Sequence, residues 1–362
     1  VDMFESKPNT PHLFSLAAGS SDGHVCLIDA ATTIVAYSLE VAHGPVMSLA
    51  YAPGGDSLAI GCDTGHLRIL DPSLGIVVHE LDLGLGSIDF VTYSPCGTSL
   101  ATQCAEHIGI IHPNSGKLLH EVKLGGSFGN GFKGSLAYAP TGSRLAAVCD
   151  SGSVCIIDPL DGAIAQSVQF GRNACGGCIS FSPSGERLAL SWWNSGRVCE
   201  IQTSSGAVIF DICPGRDKMN IVEYGPLGTS FAVGSETGHV YIIKPTSGAI
   251  LHDVPICHGP INHLTYRPTG ETFVVGCRDG HVGIIGSNTG EILHAIFIGC
   301  SAIDSLVHVP EIAGIVLCAE GILCTIDYDS AAIRSRTSSD QFGHGLFIWT
   351  LAVSPLFVQT DC

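Results

Sequence analysis

Sixteen cysteines and sixteen histidines among 362 residues are the groups of this chain best able to do chemistry, since thiolates and imidazoles ligate soft metals, exchange disulfides and move protons. Their spacing argues for a quieter use. Cys62, Cys104, Cys149, Cys277 and Cys318 fall at one place in successive units of a repeat, where sister units carry Ser20 and Ser235; Cys26, Cys155, Cys199 and Cys324 share a second place. Equivalent residues in successive units need not approach one another, whereas a disulfide needs Cα atoms within about 7 Å and a metal needs unlike positions that converge. These residues are therefore expected to be small, mostly buried, reduced thiols, and a reducing compartment, the cytoplasm, follows. Cys175 and Cys178 form the single CxxC of the chain. A redox pair of this kind needs a helix N-terminus to lower a thiol pKa; this one enters an expected strand, and no second ligand pair is spaced to complete a zinc site.

The histidines behave likewise. His24, His66, His107, His239 and His281 each open the third strand of a unit directly after a turn, and His79, His120, His252 and His294 each fall in the fourth strand, four residues after a Gly. Like places spread around a circle suit turn-capping and edge-strand polar roles better than a metal site; the other reading is a ring of five imidazoles on one rim, charging below about pH 6.5. The acids recur too, as Asp22, Asp63, Asp150 and Asp279 and as Asp29, Asp71, Asp158 and Asp327, where Asp folds a turn through its own backbone hydrogen bonds. No HExxH or GxxxxGK[ST] motif occurs, so no zinc-protease helix or phosphate loop is expected. The expectation is a non-catalytic protein with no metal and no cofactor.

The element that positions all these residues is the repeat. A short apolar run ending in Pro returns every 42 to 45 residues, as LAYAP at Pro53, VTYSP at Pro95, LAYAP at Pro140, ISFSP at Pro183, VEYGP at Pro226, LTYRP at Pro268, LVHVP at Pro310 and LAVSP at Pro355. Between prolines lie four apolar runs of five to eight residues separated by Gly, Pro, Asp and Ser turns, the pattern of an antiparallel meander. A unit of this size cannot bury its faces alone and is stable when stacked on copies of itself. The fold class is all-β, a single β-propeller of four-stranded antiparallel blades. One period before Pro53 lies Pro11, so eight periods are enclosed. The chain enters at the second strand of the first blade and ends on a run, Phe347 to Val353, able to complete that blade and remove the open edge. The alternative is seven blades plus a divergent segment, because residues 331–345 are polar where a fourth strand belongs. Residues 1–10 are expected to be an N-terminal extension, 11–355 the propeller and 356–362 a C-terminal tail. A chain beginning at Val1 is expected to be processed or part of something longer.

The unit resembles a WD40 repeat. Gly19-Ser20-Ser21-Asp22-Gly23-His24-Val25, His43 with Val46, and Phe181-Ser182-Pro183-Ser184-Gly185 carry the resemblance, which covers nearly the whole chain. The Trp that the family places before Asp at the end of the third strand is replaced by Ile28, Leu70, Ile111, Ile157, Ile201, Ile243, Ile285 and Ile326, so apolar packing must stand in for a Trp-centred hydrogen-bond network. The resemblance implies a structural role for His43 and His258. It also implies a scaffold for protein–protein interaction within an intracellular multiprotein assembly.

Function is expected where the repeat breaks. In the fifth blade Trp192 and Trp193 stand where other units have a small residue and a Gly turn, with Arg197 close behind. Arg172 lies in a neighbouring loop, and Arg216, Lys218 and Met219 lie in the other. Residues 172–218 hold five basic against four acidic side chains in a chain of net charge −17, and Trp, Arg and Met are enriched at the energetic centres of interfaces. An insert carrying Phe128 and Phe132 is expected on the same face. The expected partners are other proteins. With 33 acidic against 16 basic residues, a nucleic-acid backbone would be repelled, and no apolar run is long enough for membrane insertion. Two other readings stand beside the scaffold: a small-ligand-binding or hydrolytic propeller using the central channel, and a propeller segment of a larger cytoskeletal or ciliary structural protein.

Overall fold

The computed structural model of the chain describes residues 16–30, 32–104, 106–124, 135–149, 152–171, 177–215, 217–300, 302–338 and 348–354. The expected extension at 1–10 and tail at 356–362 lie outside the described residues, as do Phe128, Phe132, Arg172 and Arg216.

Eight four-stranded antiparallel sheets make up the ring. Strands are lettered a to d from the axis outwards. Blade 1 takes strand a from the far end of the chain, Ile348–Val353, beside b (Leu16–Ser20), c (His24–Ile28) and d (Val35–Glu40). The seam is a ladder running from Leu16 opposite Val353 to Ser20 opposite Ile348. Blades 2 to 8 follow in order; their a strands are Val46–Tyr51, Ile88–Tyr93, Leu136–Tyr138, Gly177–Phe181, Met219–Tyr224, Ile261–Tyr266 and Ser305–Val309. The expected closure and the count of eight both hold. In blade 8 the polar stretch does form strand d, Ile333–Ser338. Arg334 donates to the Ile312 carbonyl and pairs with Asp327, and Arg336 donates to the Ile298 carbonyl. Charged side chains thus tether a strand that apolar packing holds elsewhere.

Strand b is buried at every residue in six blades, as in LAIGC at Leu58–Cys62 and LAAVC at Leu145–Cys149. The reason is geometric: blades pack on both faces of a middle strand, so its sequence reads as a continuous apolar run. Each interblade space holds one core cluster. One of them joins Leu16, Ala18 and Ile28 of blade 1 to Val316, Cys318 and Leu323 of blade 8 and so closes the ring. The residues at the family's Trp position, Ile28, Leu70, Ile111, Ile157, Ile201, Ile243, Ile285 and Ile326, are all fully buried. Each also marks a shift in the pairing of strands c and d, for example between Ile284 and Ile285. A bulge of this kind bends the strand locally and increases its twist.

Polar stitches between blades recur with the repeat. The aromatic before the anchor proline reaches back to the previous blade: Tyr93 Oη lies 3.0 Å from Ser57 Oγ, and Tyr138 Oη 3.0 Å from Ser99 Oγ. On the outer edge, Nε2 of the strand d histidines donates to a backbone carbonyl in the next blade's c-to-d turn. The pairs are His79 with Asn114 (3.0 Å), His120 with Leu160 (2.9 Å), His252 with Asn288 (3.0 Å) and His294 with Asp329 (3.1 Å). Gly290, at φ +66°, lies beneath His252, where an added Cβ would stand 2.6 Å from the ring.

Candidate functional site

The b-to-c turns and d-to-a loops share one face, and glycine lets them touch. At Gly196 (φ +64°) an added Cβ would lie 2.2 Å from the Asp217 carbonyl oxygen, so the turn after Trp193 sits directly on the loop that carries Lys218. Trp193 is half-buried there. Its indole Nε1 donates to Glu236 Oε2 at 2.9 Å, and Lys218 Nζ lies 3.6 Å from the ring centroid. Glu236 opens the b-to-c turn of blade 6, and its N–H donates to the Lys218 carbonyl at 2.9 Å. One aromatic ring thus joins two blades through a cation–π contact and a charge-assisted hydrogen bond.

The other residues expected at this rim are placed differently. Trp192 is fully buried, packed at 5.3 Å centroid distance from Phe170. It ends strand b opposite Gly177, whose missing Cβ would sit 3.1 Å from the indole. In blades 2, 3 and 7 the corresponding cross-strand pairs are Val46 with Cys62, Ile88 with Cys104 and Ile261 with Cys277. Blade 5 exchanges large and small across the same pair, so Trp192 is core. Met219 is also fully buried and begins strand a at the place of Val46, Ile88 and Ile261. Arg197 is at the surface but committed: it pairs with Asp211, and its Nη1 donates to the Phe170 carbonyl at 3.1 Å. What remains of the expected patch among the described residues is Trp193 with Lys218.

Beneath this rim, blades 5 and 6 share a polar contact that sequence reasoning missed. Glu200, fully buried, accepts from Tyr224 Oη and from the Thr246 N–H at 2.7 Å, with Arg187 Nε 3.9 Å away. The signal was a lone acid inside an apolar strand c, Arg197–Gln202.

Twelve cysteines among the described residues stand outside the Cys257–Cys277 bridge, ten of them buried. Burial pushes the Cys178 thiol up to about 11, and its Sγ lies 3.7 Å from the Val222 carbonyl. Cys96 differs: it is exposed, and hydrogen bonds from Thr98 and then Ser94 bring its thiol down to about 7. The reading of Cys277 as a reduced thiol like its sisters is corrected, because it is joined to Cys257 with Cα atoms 6.9 Å apart. Cys257 is in a d-to-a loop and Cys277 at the end of a strand b, and such unlike places meet where like places cannot.

The rim histidines form no shared cluster. His24 Nδ1 lies 3.1 Å from Asp22, His107 Nδ1 2.8 Å from Glu121, His239 Nδ1 2.7 Å from Asp253 and His281 Nδ1 3.0 Å from Asp279. The structural role implied for His43 is not seen; its side chain is 94% exposed, 3.7 Å from Glu40.

On the same face a cavity of about 700 Å³ opens at the channel mouth, lined by Asp63, Asp89, Phe90, Gln103, His263 and Asp304 among others. No three of its carboxylates and histidines gather as closely as a metal site requires. Among the described residues, no helix is long and apolar enough to cross a membrane.

Residues 36–71 match the WD domain, G-beta repeat family, and residues 257–309 match the anaphase-promoting complex subunit 4 WD40 domain. The crystal structure of Saccharomyces cerevisiae Sqt1 superposes with a TM-score of 0.72 at 14% identity, over 84% of this chain and 87% of that one. The chain is a WD40-like β-propeller. A stretch of 102 residues of this WD40-like propeller is 28% identical to human Echinoderm microtubule-associated protein-like 3. That match spans 28% of this chain and 11% of the human protein.

Proposed function

We propose that this WD40-like propeller is a non-catalytic docking module that binds other proteins of an intracellular multiprotein assembly through the rim where blades 5 and 6 meet. Trp193 carries the reading. It is a half-exposed aromatic with its indole N–H satisfied by Glu236 and its ring contacted by Lys218, so a partner meets a pre-set side chain that loses little freedom on binding. Aromatic anchors held in this way are the residues that dominate interface energies. The names of two similar proteins, a subunit of the anaphase-promoting complex and a microtubule-associated protein, support an assembly as the setting, with a cytoskeletal or ciliary structure as the narrower version. The cytoplasm remains the proposed location.

The test is affinity capture from source cells with the wild type and with a Trp193→Ala/Lys218→Ala variant of unchanged melting temperature. Partners lost only from the variant support the rim; partners retained by both overturn it.

The cavity at the channel mouth favours one second reading, a small polar ligand held there, since its volume is that of an ordinary ligand site. Native mass spectrometry of protein purified from its source would detect a retained small molecule, and a bare chain mass would count against this reading.

A further inference from the structure

Where the d-to-a loop leading into blade 7 meets the end of that blade's strand b, Thr272–Cys277, two sulfurs and a carboxylate oxygen converge. The ligand atoms of Cys257, Cys277 and Asp279 all lie within 4.8 Å of one another, the one such group among the described residues. Zinc sits about 2.3 Å from thiolate sulfur and about 2.0–2.2 Å from carboxylate oxygen, so donors this close can share one ion. The carboxylate is already held in place. Asp279 Oδ2 accepts the His258 N–H at 3.1 Å, Oδ1 accepts the His281 N–H at 3.2 Å, and the His281 imidazole, 5.0 Å from the Phe297 ring, lies 3.0 Å away through Nδ1. Cys277 is fully buried at a strand end, whereas Cys257 is half-buried in the loop. One ligand is thus rigid, one is oriented by its neighbours, and one is on the side from which an ion would arrive.

We propose that, with the Cys257–Cys277 disulfide reduced, these three residues bind Zn²⁺, the fourth position facing solvent at the rim. Reduction by a thiol or phosphine brings two electrons and two protons to the sulfurs; as the two S–Zn bonds form, the two thiol protons leave to solvent. Paired thiolates favour zinc over magnesium or calcium, which take oxygen donors. The ion would pin the loop between blades 6 and 7 to the rim. The site stands apart from the Trp193 junction, and neither proposal depends on the other.

The test is Co²⁺ titration of the full chain, reduced with a phosphine and stripped with a chelator, followed by displacement with Zn²⁺. Wild type should give a near-ultraviolet thiolate-to-cobalt band saturating at one equivalent and abolished by zinc. Cys257→Ser should remove the band, Asp279→Asn should weaken binding by at least the roughly 10-fold that an outer-shell change costs, and Cys62→Ser, as a control for the other thiols, should leave it intact. Circular dichroism melts of each variant separate loss of ligand from loss of fold. Absence of the band in reduced wild type overturns the proposal, as does a band that survives Cys257→Ser. A thiol titration showing that the pair stays oxidised under the phosphine overturns it as well.

Discussion

Trp192 and Trp193 are adjacent in sequence and opposite in fate. Trp192 fills the space left by Gly177, so Trp192→Ala should cost about 3–5 kcal/mol by cavity formation, read as a fall in the urea midpoint with unchanged slope; a loss under about 1 kcal/mol would show that the pocket is not packed. The sequence reading put Trp192 at the rim instead, although Gly177 opposite it carries the signal for burial. Met219 was misplaced at the rim in the same way, although it occupies the place of Val46 and Ile88. The bond from Trp193 to Glu236, 43 positions apart, was not, because nothing local to either turn encodes it. A second residue-scale expectation concerns Glu223, whose carboxyl burial pushes up to about 8 despite a backbone hydrogen bond from Tyr266. Between its ordinary range and pH 8 the folded state keeps a proton that the unfolded state gives up, so stability falls as pH rises through that window. Wild type should lose stability from pH 5 to pH 8 relative to Glu223→Gln in paired urea melts, and parallel pH profiles would count against this placement.

Among the elements, strand d is the one whose chemistry the repeat concealed. Its histidines sit at like places, which excludes a shared metal site, but each reaches across to the next blade's turn. An exposed hydrogen bond of this kind contributes about 0.5–1 kcal/mol, and well-separated sites add. Replacing His79, His120, His252 and His294 together by Ala should therefore cost about 2–4 kcal/mol in chemical denaturation, with no change in far-ultraviolet circular dichroism. A quadruple variant as stable as wild type would mean that water replaces the stitches. Strands b and c were legible as continuous apolar runs. Strand d of blade 8 was the exception, because Arg334 and Arg336 fold against backbone carbonyls that no apolar pattern announces.

At the scale of the whole molecule, closure depends on one strand. Strand a of blade 1 pairs with Leu16–Ser20 and contributes Leu351 and Ala352 to two interblade cores. Ending the chain at residue 346 would leave an unpaired edge beside two opened cores, the arrangement that promotes edge-to-edge association. The truncated chain should elute as oligomers in size-exclusion chromatography and lose a single cooperative melt; a monomer with wild-type melting would mean that the seam adds little. The net charge of −17 favours solubility through repulsion between copies of the chain.

Sequence alone determined the period, the four-stranded unit and the strand able to close the ring, because each follows from local alternation of apolar runs and turns repeated at fixed spacing; eight blades rather than seven was decided by the eighth sheet. The sequence also led to the expectation that like-placed cysteines and acids serve the fold alone, from which Cys277, joined to Cys257, departs. Tertiary structure decided which side chains meet across blades: Trp193 with Lys218 and Glu236, Glu200 with Tyr224, and Cys257 with Cys277 and Asp279. The first two of these pairings depend on the rotation that carries one blade to the next and the third on a loop folding back over a strand end. Neither distance has a counterpart in the linear order of residues.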